Sequence, residues 1–83
     1  MLWSEAAEAA GRVVPDTVRR EIDRRLDYVL RMPRMYAPAQ DARFPGCRSF
    51  WVDPSYRVFY MVAAGGRDVY VAAIVKEEVQ ELA

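Results

Sequence analysis

The sequence predicts an α+β fold, with two N-terminal helices packed on one side of a small antiparallel β-meander. Two observations carry that reading. Apolar residues recur at helical spacing as far as Leu30, and at a period of two from Cys47 onward. The apolar runs of the second half are separated by turns of a few residues, too short for crossover helices, so neighbouring strands must run antiparallel.

Met1-Leu2-Trp3 reads as a stub of extended chain. Ser4 suits an N-cap, and Glu5 suits the positive end of the helix dipole. Ala6, Ala7, Ala9 and Ala10 favour a short helix, which Gly11 weakens and Pro15 stops. Asp16 or Thr17 can cap a second helix. Its stripe is Val18, Ile22, Leu26, Val29 and Leu30, and Arg19, Arg20, Asp23, Arg24, Arg25 and Asp27 fill the rest. The Arg cluster reads as a solvated face of Arg–Asp pairs rather than a phosphate track. Pro33 ends the helix, so the expected helices span roughly residues 4–14 and 16–32.

Residues 34–44 lack periodicity and read as a loop over one edge of the domain. Pro45-Gly46 is a turn signal. Strands are expected at 47–52, 56–63 and 69–75. Asp53-Pro54-Ser55 suits a type I turn, and Gly65-Gly66 supplies positive φ for a hairpin. Strict alternation puts Val58, Tyr60 and Val62 on one face of the middle strand and Arg57, Phe59 and Met61 on the other. Arg48 and Phe50 are grouped with the second set, together with Val71. With one helical layer to cover two apolar faces, the face carrying Arg48, Phe50, Arg57, Phe59, Met61 and Val71 is expected to be open for a partner.

At 83 residues the chain is one domain, residues 1–83, with a thin stability margin. No apolar run is long enough to span a bilayer, and no signal-peptide pattern opens the chain, which points to a cytoplasmic protein without a membrane partner. The single cysteine, Cys47, reads as a buried thiol. The lack of histidine excludes a His-based triad, a His general base and a His-containing zinc site. Formal net charge is zero; residues 1–57 carry ten Arg against eight acids, and residues 58–83 two cations against four acids. A protein that grips RNA mainly through phosphates is normally strongly basic, so this balance argues against such a role.

The chain resembles the RelE/ParE superfamily of type II toxin–antitoxin toxins. The matching residues are Trp3-Ser4 and Ala7, then Ile22, Leu26 and Leu30, Pro33, Pro45-Gly46-Cys47-Arg48, Tyr56-Arg57-Val58-Phe59-Tyr60-Met61-Val62, and Val69, Val71, Ala73 and Ile74. The resemblance spans nearly all of residues 3–76. It implies a first strand along the sheet edge, of which Met1 to Trp3 remain. It also implies a cognate antitoxin as partner, no cofactor or metal, and either DNA gyrase or the ribosome as cellular target. RelE-like members cut messenger RNA in the ribosomal A site, by attack of a ribose 2′-oxygen on the adjacent phosphorus; ParE-like members poison gyrase. For a nuclease, the resemblance assigns catalysis to Arg48, Arg57 and Lys76. Phe50 and Glu77 stand where further cations are expected, and no aromatic residue or histidine follows Tyr70. The broken set and the neutral charge favour a ParE-like toxin. The alternatives are a RelE-like interferase and a toxin-fold binding module that is not toxic. Antitoxin contact is expected at Phe50, Phe59, Met61 and Val71.

Overall fold

The computed structural model describes residues 1–66 and 68–77. The order of elements is β1 (Leu2–Trp3), α1 (Glu5–Val13), α2 (Asp16–Arg31), β2 (Arg48–Val52), β3 (Tyr56–Val62) and β4 (Val69–Lys76). The four strands form one sheet in the order β1-β4-β3-β2. β2, β3 and β4 make the expected antiparallel meander, and β1 adds to the far edge parallel to β4, pairing Leu2 with Tyr70 and Trp3 with Val71. The sheet is therefore mixed, and the edge strand implied by the family resemblance is present as two residues.

Ser4 caps α1 as its residue type predicts: its Oγ accepts from the Ala7 N–H at 3.0 Å and donates to the Ala72 carbonyl at 2.6 Å. One hydroxyl thus fixes the helix start to the sheet. α2 begins differently from expectation. Pro15 holds the N-cap position without a side-chain bond, and Asp16 lies in the first turn, where its charge meets the helix dipole. Val18, Ile22, Leu26 and Val29 form the buried stripe, whereas Leu30 is turned off it and is 39% exposed. The flanks carry the expected Arg–Asp pairs, Arg19–Asp23 and Arg31–Asp27, and Glu21 pairs in addition with Arg24 and Arg25.

The helices press that stripe and Ala7 onto Phe50, Val52, Val58, Tyr60, Val69, Val71 and Ile74. A β-bulge decides which β4 residues join them. Phe59 pairs with Ala73, but Tyr60 pairs with Val71, so Ala72 is the extra residue and the alternation of β4 inverts there. Ile74, Val71 and Val69 all face the helices, while Tyr70, opposite Met61, is turned outward and is 39% exposed. Tyr60 sits at the centre of this layer with its hydroxyl donating to the Pro33 carbonyl at 2.9 Å, so its one polar atom is satisfied.

Both hairpins follow their turn chemistry. The Tyr56 N–H reaches the Asp53 carbonyl at 3.4 Å across the β2–β3 turn, with Asp53 itself in the left-handed region at φ 54°. Gly65 and Gly66 take φ values of 96° and 72° between β3 and β4.

Candidate functional site

The register of β2 against β3 corrects the grouping of faces drawn from the sequence. Arg48 lies opposite Tyr60 and Phe50 opposite Val58, so both sit on the helix side; Ser49 and Trp51 share the outer face with Arg57 and Phe59. Alternation within each strand is legible from sequence. The phase between two strands depends on which residues pair across the turn, and that is set by the three-residue loop at Asp53-Pro54-Ser55.

The exposure expected of Phe50, Phe59 and Val71 is also corrected: they are 3%, 0% and 0% exposed, and of that set Met61 alone reaches solvent. Phe50 lies under the Tyr36 ring, with centroids 4.8 Å apart. Val71 is placed in the core by the bulge. Phe59 is covered by the loop after α2, whose Phe44 packs on it at 4.3 Å with Ala39 alongside. That loop also lines the free edge of β2, where the Ala39 N–H donates to the Cys47 carbonyl at 2.8 Å. The second layer that the sequence did not disclose is therefore a loop. Cys47 is buried beneath it, and burial raises its thiol pKa, so it is a structural thiol.

The three cations assigned from the resemblance do not meet. The Arg48 guanidinium donates to the Tyr36 carbonyl at 2.6 Å on the helix side. Lys76 pairs with Tyr56 at the end of β4, its Nζ 5.9 Å from the Tyr56 ring centre. Arg57 stands on the outer face, where Nε and Nη2 donate to Ser49 Oγ at 3.2 and 3.0 Å. Its companion there is Arg43, from the aperiodic loop. Both guanidiniums lie over the Phe59 ring, at 4.8 Å for Arg57 and 5.9 Å for Arg43, and Arg57 is 5.5 Å from the half-exposed Trp51 ring.

Two carboxylates close this pair of cations. Asp41 accepts from the Arg43 backbone N–H at 2.9 Å, from Nε at 3.0 Å and from Nη2 at 2.7 Å, and its Oδ2 is 3.9 Å from Arg57 Nη1. Glu77 accepts from the same Arg43 Nη2. Hydrogen bonds from the Arg43 side chain, then from its backbone N–H, hold the Asp41 carboxyl down at about 2, and the Arg57 charge adds to them. The Arg43 pKa is raised in turn, by Asp41 first and Glu77 second. Asp41 is a positioned anion between two cations, with 14% of its side chain exposed. Arg43, Asp41, Ser49 and Trp51 escaped the sequence reading. The only signal was the local Asp41-Ala-Arg43 spacing, which allows a short-range pair but does not say which strand it will meet.

Elsewhere, Arg19 stacks on Trp3 at 4.5 Å and lines a shallow cleft with Glu8 and Arg12. It sits at the opposite sheet edge and has the Asp23 carboxylate as partner. Among the described residues, no group of His, Cys, Asp or Glu is arranged to hold a metal ion, and no helix is long and apolar enough to cross a membrane.

This arrangement of helices, sheet and loop has counterparts among solved structures. The isolated Escherichia coli RelE toxin is 28% identical, with a TM-score of 0.79 over 98% of this chain and 86% of that one. The intact E. coli RelBE toxin–antitoxin complex contains a chain 29% identical, with a TM-score of 0.77 over 94% of this chain and 95% of that one. A double arginine-to-alanine mutant of E. coli RelE bound to a RelB antitoxin peptide is 28% identical, with a TM-score of 0.76 over 94% of this chain and 82% of that one. No family model matches the sequence, and no curated protein matches it significantly. The fold and these near full-length likenesses support a toxin of the RelE/ParE superfamily, the toxins of type II toxin–antitoxin modules.

Proposed function

We propose that this protein is the toxin of a type II pair, neutralised by a cognate antitoxin, and that it acts in the RelE manner as a ribosome-dependent mRNA interferase. The observation that carries this is the near full-length likeness to RelE, both alone and in its antitoxin complexes. It replaces the ParE-like preference drawn from charge and motif gaps. In-line attack of a ribose 2′-oxygen on the neighbouring phosphorus develops charge on the non-bridging oxygens, and fixed cations there lower the barrier. Arg57 and Arg43 are the cations suited to that task, and Trp51 offers an exposed ring on which a base can stack.

One observation favours the gyrase-directed reading: the outer-face cations are matched one for one by Asp41 and Glu77, which gives the cluster no excess charge for a phosphate. Expression without the antitoxin separates the two. New 5′ ends within translated messages, mapped soon after induction, support the interferase. SOS induction with intact messages supports gyrase. Unimpaired growth, with the protein shown to be folded, supports a non-toxic binding module.

A further inference from the structure

The outer-face cluster holds more than a pair of arginines. A guanidinium offers a planar fork that fits two oxygens of a carboxylate or of a phosphate equally well. Asp41 uses that fork on Arg43 with both oxygens and points one of them at Arg57. Arg57, by contrast, is hydrogen-bonded among the described residues to the neutral Ser49 hydroxyl and keeps its charge facing Asp41 across 3.9 Å. Glu77 meets Arg43 from β4's end, so loop and sheet each contribute one carboxylate to the same guanidinium. The aromatic floor, Phe59 flanked by Phe44 and Trp51, holds both cations in place without neutralising them.

Resting on the interferase reading, we infer that Asp41 and Glu77 plug the anion site of this toxin. Their carboxylates occupy the space beside Arg43 and Arg57 that a phosphodiester of the message must take, and the site accepts phosphate only by displacing them. No bond is made or broken in this exchange; Arg43 trades one anionic partner for another. Asp41 is the main plug, because it touches Arg43 through three bonds and is the carboxylate that faces Arg57. Glu77 is secondary, because among the described residues its carboxylate meets Arg43 and not Arg57. The plug accounts for two cations held ready over an aromatic floor in a chain of zero net charge. It also makes the free toxin a weak binder of loose RNA, so that productive engagement depends on a surface that presents the message.

The test uses the purified chain with Trp3→Phe, which leaves Trp51 as the single indole reporter, 5.5 Å from Arg57. Trp51 fluorescence is titrated with inorganic pyrophosphate and with a short single-stranded RNA. Asp41→Asn keeps the shape of the side chain and removes its charge, and is expected to tighten both ligands about tenfold. Glu77→Gln is expected to tighten them about threefold, and Arg57→Ala in the Asp41→Asn background to cancel the gain. An unchanged or weakened affinity in Asp41→Asn, with the near-ultraviolet circular dichroism of the parent, overturns the plug. If Asp41→Asn fails to fold, Glu77→Gln decides on the same criterion. Tighter pyrophosphate and RNA binding without any cleavage of translated messages by Asp41→Asn upholds the plug and counts against the interferase reading instead.

Discussion

The two faces of the sheet are built from the same strands by different means. On the helix side, the α2 stripe meets Phe50, Val58, Tyr60 and Val71 in a continuous apolar layer, and the one polar atom at its centre, Tyr60 Oη, is bonded to Pro33. On the outer side, buried Phe59 is roofed by Phe44 and by two guanidiniums, of which Arg43 is half exposed and Arg57 mostly buried. The first face keeps its cation at the margin, where the Arg48 guanidinium is held by the Tyr36 carbonyl. The second is an apolar floor carrying charge, and it can exchange its polar partners without exposing its core. On the proposed interferase reading, stability and function are separated across about one sheet thickness, and mutations on the two faces should part accordingly.

The largest effect is expected on the helix side. Leu26→Ala deletes a fully buried side chain from α2 and should cost about 2–5 kcal/mol, much of the stability of a domain this small. Urea denaturation measures it, and a loss under about 1 kcal/mol would mean that the helix layer is loosely packed. Phe44→Ala should cost less, about 1–3 kcal/mol, because Phe44 is itself partly exposed and the loop can settle onto Phe59. Phe59 is the wrong place to probe a partner surface: Phe59→Asp puts an unpaired charge into a site with no exposure and should unfold the chain before it tests any contact. Met61 and Trp51, both about two-fifths exposed, are the outer-face positions where a partner can be tested on a folded protein.

The helices, the Ser4 cap, the Gly65-Gly66 turn and the membership of each strand were legible because each depends on local chemistry or on periodicity within one element. The site was less legible because it depends on relations between elements. Arg57 and Phe59 were grouped correctly, being on one strand. Arg48 and Phe50 were put on the wrong face because the cross-strand register is not a property of β2 alone. Val71 was misplaced by a bulge at Ala72 that no residue type announces. The roof over Phe59 was missed because residues 34–44 have no period to betray which side chain points inward. The alternative to an open sheet face, that residues 76–83 fold back over it through Val79 and Leu82, rests on side chains outside the described residues.

The smallest effect concerns acid. The folded-state carboxyl of Asp41, at about 2 against an ordinary 3.8, is depressed, as is that of Glu21, at about 2 against 4.5, where Arg24 and then Arg25 hold it. A depressed carboxyl adds stability above its unfolded pKa and loses it as pH falls through the folded one. Both contributions should therefore be present above about pH 4.5 and fade toward pH 2. A difference in melting temperature between the parent and Asp41→Asn at pH 6 should close at pH 2. A gap that persists at pH 2 would show that Asp41 acts through packing rather than charge.

The central claim is that the outer face is the working face of a RelE-type toxin, and Arg57 is its simplest handle. Because Arg57 sits on the surface of the floor with a hydroxyl as its close partner, Arg57→Ala should change stability by less than about 1 kcal/mol. In an assay with programmed ribosomes and a defined message, the parent chain should cleave the message in the A site. Arg57→Ala should cut at least a hundredfold more slowly, the scale of loss when one donor to a developing oxyanion is removed. A folded Arg57→Ala protein that cleaves at the parental rate, or a parent that leaves the message intact, would contradict the account.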